Sequence, residues 1–190
     1  ATLFDYAPSA AEFLDDAVEL GRSFIQPAYW GSRSLDYLWQ GIGAFLRKRP
    51  EVRYLFGPVS LSASLPLPVR ELIVHTHGRF FADPEHLATA KNPFRISDEV
   101  AREADAALAG RDAKSALSLL KQQLAVSDQA IPTLYRQYVD LCEPDGVRFL
   151  AFGVDPQFGG CVDGLIRLDL TRLKAAKRAR YLSEPEASSG

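Results

Sequence analysis

Glu19 and Arg22 stand three residues apart in the run Val18-Glu19-Leu20-Gly21-Arg22-Ser23-Phe24-Ile25-Gln26-Pro27, an apolar segment with the composition of a buried strand. Charged residues on core strands are rare unless paired or chemically employed. A carboxylate there suits the collection of a proton from an amine, which attacks an acyl carbon only as the free base. The alternative is a buried Glu19–Arg22 ion pair that merely holds the strand. Alternation puts Glu19, Gly21 and Ser23 on one face and Val18, Leu20 and Arg22 on the other. Cooperation between the two charges therefore requires a bulge at Gly21, a device common beside active sites. Gly31-Ser32-Arg33-Ser34 follows and leads into an amphipathic stretch. Backbone N–H groups at a helix start, with Arg33 beside them, could hold one phosphate. An ordinary capped helix accounts for the same residues.

Other chemistry-bearing residues are less pointed. Asp155 and Asp163 flank Gly159-Gly160 and could pair with a cationic acceptor, although Asp155-Pro156 is also a common turn opening. His75, His77, Asp83, Glu85 and His86 crowd one segment, but alternate helix positions point apart and His86 lies beyond Pro84, so no metal is expected. Ser60, Ser62 and Ser64 lack a His/Asp partner pattern, which disfavours a serine nucleophile and favours direct transfer. Cys142 and Cys161 have neither disulfide-framework nor metal spacing and suit a reducing, cytoplasmic setting.

The elements that must position these groups follow from periodicity. Leu3–Tyr6 reads as a short strand, Ala10–Asp16 as a turn or brief helix, and Ala17–Ile25 as a strand stopped by Pro27. Ser34–Arg49 carries Leu35, Leu38, Trp39, Ile42, Phe45 and Leu46 at helical spacing, with Ser34 as cap and Pro50 as stop. Arg53–Leu61 is the next strand, with a bulge or bend expected at Pro58. Pro66 and Pro68 open a helix through Phe80. Strand, helix, strand implies a parallel pair with a crossover. Residues 97–128, rich in Ala, Glu, Lys and Asp, predict two helices broken near Gly110, a helical insertion. Pro132–Cys142 predicts a further helix, and Val147–Val154 and Gly164–Leu170 predict strands joined by a Gly-rich connector. The aromatic set Phe24, Tyr37, Trp39, Phe45, Phe56, Phe149, Phe152 and Phe158 is expected mostly in the core.

At 190 residues with 47% hydrophobic content, the chain can bury one core. A single domain over 1–182 and a disordered tail over 183–190 are expected. A formal charge of -2 gives no electrostatic reason to expect nucleic acid as a partner. Arg172, Lys174, Lys177, Arg178 and Arg180 form a basic stretch, readable as a solvated helix end, a docking patch for an acidic carrier protein, or a hold on anionic lipid.

Glu19-Leu20-Gly21-Arg22-Ser23, Pro27-Ala28-Tyr29, Leu38-Trp39-Gln40-Gly41-Ile42, Tyr54-Leu55-Phe56-Gly57, Pro132-Thr133-Leu134-Tyr135-Arg136-Gln137-Tyr138, Asp155-Pro156-Gln157-Phe158 and Val162-Asp163-Gly164-Leu165 occur in that order. Together they resemble the ornithine N-acyltransferase branch of the acetyltransferase-like (GNAT) superfamily, often labelled hemolysin. That branch is related to acyl-homoserine-lactone synthases and long-chain N-acyl amino acid synthases. The resemblance implies an α/β (α+β) fold with a mixed, partly splayed sheet flanked by helices. It also implies that the first strands of the usual fold precede this chain. The implied reaction moves a long-chain, 3-hydroxylated acyl group from acyl carrier protein to the α-amine of ornithine or another amino acid. Glycine, tyrosine or homoserine lactone are alternative acceptors, and a non-catalytic acyl or carrier-protein binding module is an alternative class. On this reading Glu19 and Arg22 are catalytic. Gly31, Ser32, Arg33 and Ser34 hold the 4′-phosphopantetheine of the carrier protein, or coenzyme A. Asp155, Asp163, Phe24 and Phe158 touch substrate, with no permanent cofactor and with peripheral contact to the inner membrane.

Overall fold

The computed structural model describes residues 2–21, 26–29 and 32–183. In chain order the elements are β1 (Phe4–Tyr6), α1 (Ala11–Asp15), β2 (Ala17–Glu19), α2 (Ser34–Arg47), β3 (Tyr54–Leu61), α3 (Leu67–Phe80), β4 (Ala88–Ala90), α4 (Asp98–Leu108), α5 (Ala113–Val126), α6 (Thr133–Leu141), β5 (Val147–Asp155), β6 (Cys161–Asp169) and α7 (Ala175–Leu182). Four strands form a mixed sheet in the order β2-β3-β6-β5, and β1 and β4 form a separate antiparallel ribbon. The expected parallel pair is β2 and β3, while β6 runs antiparallel to both its neighbours. This is the mixed, helix-flanked α/β architecture that the sequence implies.

Alternation along β3 separates two apolar layers. Leu55, Val59 and Leu61 enter a core shared with Trp39 and Leu46 of α2, Ile73 and Val74 of α3, Leu120 and Leu124 of α5, and Tyr135 of α6. Phe56 points the other way, against Phe4 of β1, Phe13 of α1, Leu87 and Leu165. Ile73 and Leu165 are both fully buried, and burial of such a side chain contributes about 1.5–3 kcal/mol.

Among the described residues the β2–β3 pairing is short. It runs from Ala17↔Tyr54 to Glu19↔Phe56, with one further bond of 2.6 Å from the Leu20 N–H to the Phe56 carbonyl. Among the described residues β3 has no β2-side ladder partner beyond that point, although it stays paired with β6 through Leu61↔Val162. Gly57 lies against this last described stretch of β2. Its φ is +155°, and a Cβ there would lie 2.4 Å from the Leu20 carbonyl oxygen. Strand alternation turns the backbone edge of Pro58 to the same side as Phe56, away from β6. Its missing N–H therefore costs the β3–β6 ladder nothing, and the pairing passes Pro58↔Leu165 without the expected bulge. The irregularity in the sheet lies instead at Phe149/Ala151 in β5.

Other boundaries shift for local reasons. β6 begins at Cys161 rather than Gly164, because Gly159 (φ +64°) and Gly160 (φ +74°) complete the turn and place Asp163 inside the strand. Helices α4 and α5 occupy the stretch expected to be two helices, with Gly110 at φ +70° between them and the Asp112 carboxylate accepting from the Ser115 N–H at 2.7 Å. The basic stretch forms α7 and docks on α2. Gly43 permits this approach, since a Cβ there would lie 2.0 Å from the Tyr181 carbonyl oxygen. Much of its charge is matched within the domain. Lys174 and Lys177 reach Asp140 at 2.7 and 2.8 Å, and Arg180 reaches Asp36 at 2.7 Å. The tail expected to be disordered lies, from residue 184, outside the described residues. No described helix is long and apolar enough to cross a membrane.

Candidate functional site

Glu19 ends β2 at the last register pair described between the parallel strands. It lies on an edge strand and is exposed, not on a buried strand as the apolar run suggests, while Val18 and Leu20 pack half-buried against the helical core. Its register partner is Phe56, so both face the β1–β4 ribbon. Tyr6 of β1 lies on this face, with its ring edge-on to Phe56 at 6.4 Å between centroids. Burial first, and the Glu19 charge second, push the Tyr6 hydroxyl up to about 12. Tyr6 thus stays a proton donor at neutral pH beside an acceptor carboxylate. This pair can take a proton from an amine and donate to developing negative charge in one place. Sequence alone does not single out Tyr6, although the apolar-polar-aromatic alternation of Phe4-Asp5-Tyr6 carries the signal. Arg22, Phe24 and Gly31, and with Arg22 the question of a bulge at Gly21, lie outside the described residues.

Helix α2 begins at Ser34, so its N-cap is Arg33, one step before the expected cap, and the Arg33 side chain makes no capping bond. Ser32 steadies the entry instead: its hydroxyl donates to the Tyr29 carbonyl at 2.6 Å and accepts from the Ser34 N–H at 3.2 Å. One N–H of the expected phosphate grip is therefore satisfied internally. Arg33 is largely exposed and pairs with Asp36 at 3.1 Å. Hydrogen bonding from Arg180 above all, with Arg33 and Tyr181 assisting, lowers the Asp36 carboxyl to about 2. That acid is neutralised by two arginines, so the helix start retains positive character. On the outer side of α2, Tyr37 and Phe45 are exposed rather than in the core.

Asp155 and Asp163 meet at the other end of β3's partner strand. Asp155 spends one oxygen on the Gln157 and Phe158 N–H groups, at 2.8 and 3.1 Å, which is the turn-opening role. Phe158 projects from that turn and is 64% exposed, so it lines no enclosed tunnel here. Asp163 differs. It is buried at 5% exposure, takes a hydrogen bond from Ser60, and leaves Oδ1 without a partner. Burial, then the Asp155 charge, raise its carboxyl above the ordinary range. Glu19 and Asp163 share a sheet face, but their partners Phe56 and Ser60 are four residues apart on β3 and the two acids lie two strands apart. That separates them by roughly 16 Å.

His77 is fully buried in aromatic company, with its Nδ1 donating to the Ile73 carbonyl at 2.7 Å, and burial lowers it to about 4. His75 instead meets Asp105 at 2.9 Å on the surface. Asp83 accepts from the Leu87 N–H at 2.8 Å and closes the turn at His86. Among the described residues no group of three or more His, Cys, Asp or Glu side chains could hold a metal.

The segment carrying Tyr6, Glu19 and the start of α2 is also the part that matches a family model. Residues 1–40 match the acetyltransferase (GNAT) domain. Over 191 residues the chain is 29% identical to a glycine N(alpha)-acyltransferase of Bacteroides thetaiotaomicron, covering 93% of this chain and 55% of that protein. It is 26% identical over 178 residues to a glycine N(alpha)-acyltransferase of Phocaeicola vulgatus, covering 90% of this chain and 54% of that protein. The chain thus spans about half the length of the curated relatives it matches. No solved structure matches it. Similarity therefore extends to N-acyltransferases, and the relatives' names give glycine where the sequence resemblance implies ornithine.

Proposed function

We propose that this chain is the acyl-transfer part of an N-acyltransferase that moves a long-chain, 3-hydroxylated acyl group from the phosphopantetheine thioester of acyl carrier protein to the α-amine of an amino acid, with glycine the favoured acceptor. The observation that carries the proposal is Glu19 at the end of β2, on the ribbon face of the sheet, with Tyr6 beside its carboxylate. The amine nitrogen bonds to the thioester carbon, the C–S bond breaks and the thiol leaves. Glu19, directly or through water, takes the amine proton, and the Tyr6 hydroxyl donates to the oxyanion or departing sulfur. The start of α2, with Ser32, Arg33 and Ser34, holds the donor's phosphate at its exposed N–H groups; coenzyme A is the alternative carrier. The acylated product partitions into a bilayer, which favours a reaction in the cytoplasm in peripheral contact with the inner membrane.

Ornithine is the second reading, favoured by the unpaired carboxylate of Asp163. The spacing weighs against it. Ornithine's two amines are a few bonds apart and cannot meet Glu19 and Asp163 across roughly 16 Å at once. The test is product analysis after incubating the full-length protein with acyl carrier protein thioesters and, separately, glycine and ornithine. N-acyl glycine as the main product supports the first reading. Exclusive acylation of ornithine, abolished by Asp163→Asn, supports the second. Tight carrier binding with no acylated amine from either would overturn both and leave a binding module.

A further inference from the structure

A cavity of about 830 Å³ opens between α5 and α6, within the size range of small-molecule sites. His77 and Phe81 of the α3 end form its floor, and Leu117, Ile131 and Val139 its apolar walls. The charges around it are mostly of one sign. Lys114 and Lys121 on α5 and Arg136 on α6 line it, and none of the three has an ion-pair partner among the described residues. Lys174 at the rim is held by Asp140, and Glu143 is the remaining acid. His77, buried and neutral, adds no charge to the floor.

The cavity is not the acyl-transfer site. Its floor sits beside β5, where Phe149 pairs with Ala82 and packs on His77. The strand order β2-β3-β6-β5 puts three strand spacings, roughly 14 Å, between β5 and the Glu19 edge. An apolar trough with a cationic rim complements a molecule with one alkyl chain and one anionic head. We infer that this cavity is a separate binding site for a fatty carboxylate, with its chain along His77, Phe81 and Leu117 and its head at Lys114, Lys121 and Arg136. The inference does not rest on the proposed reaction.

The test is calorimetric titration of the full-length protein with laurate below its micellar concentration, with uncharged monolaurin as comparison. Saturable laurate binding is expected, at least tenfold tighter than monolaurin. The charge reversal Lys114→Glu/Lys121→Glu alters two exposed lysines and should leave the helical circular dichroism intact while weakening laurate at least tenfold. Leu117→Trp, which fills the trough, should weaken both ligands. Glu19→Gln should leave laurate affinity unchanged, so the site can stand or fall independently of acyl transfer. Equal binding of laurate by the charge-reversed and parent proteins, equal affinity for monolaurin, or loss of laurate binding on Glu19→Gln would each overturn the assignment.

Discussion

Tyr6 and Glu19 form a coupled pair, and each reports on the other. The Glu19 charge contributes to the elevation of the Tyr6 hydroxyl, second to burial. Glu19→Gln should therefore lower the tyrosinate midpoint that disappears in Tyr6→Phe, read by ultraviolet titration; an unchanged midpoint would separate the two groups. Asp163 is costly where it stands, because a buried carboxylate with a free oxygen carries a desolvation penalty. Its folded-state carboxyl is raised, so the folded protein holds a proton that the unfolded chain releases first. Stability consequently falls as pH rises through and above the ordinary carboxylate range. Asp163→Asn should stabilise the protein at neutral pH by about 1 kcal/mol while leaving glycine acylation within twofold. Thermal melts at pH 4 and pH 7 check the sign, since the gain should appear mainly at the higher pH.

Gly57 matters at the element scale, because it lets the β2 backbone approach β3 directly after Glu19. Gly57→Ala would set a methyl group against the Leu20 carbonyl and displace β2, at a cost of about 2 kcal/mol. Transfer should fall by more than the stability loss explains, since Glu19 moves with β2. The sequence made most elements readable through period alone: α2, α3, α5 and α6 lie where apolar spacing puts them, with prolines marking the starts of α3 and α6. What it hid were properties of partnership. Pro58 signals a bulge in a lone strand, yet its empty donor position faces the β2 side of the sheet, away from the β6 ladder. Phe45 matches the helical apolar spacing and Tyr37 belongs to the aromatic set expected mostly in the core, yet Trp39, Gly43 and Leu46 set the buried face. The basic stretch reads as free charge until Asp36 and Asp140, distant in sequence, are seen against it. At the site, Glu19 was legible as an acid in an apolar run, whereas its neighbour Tyr6 is brought in by ribbon β1–β4 folding over the sheet.

Across the whole molecule, two apolar layers hold one sheet between a helical side and a ribbon side, and the reactive pair belongs to the thinner ribbon side. The helical layer carries an acid-sensitive element in His77. Its folded state resists protonation down to about 4, whereas an unfolded histidine takes a proton near 6.5. Between these values the unfolded state binds more protons, so stability falls as pH drops through that window, by about 3 kcal/mol for a shift of this size. His77→Phe should flatten this acid limb in denaturant titrations between pH 7 and pH 4; a limb unchanged by the substitution would place acid lability elsewhere. The central claim concerns the other layer, where Glu19 serves as proton acceptor beside Tyr6. The most direct measurement is kcat/KM for glycine acylation from an acyl carrier protein thioester by the full-length protein and its Glu19→Gln variant, with folding matched by thermal melts. A fall of about 100-fold or more, in the range expected for loss of a general base, is predicted. Turnover by Glu19→Gln equal to that of the parent would contradict the account.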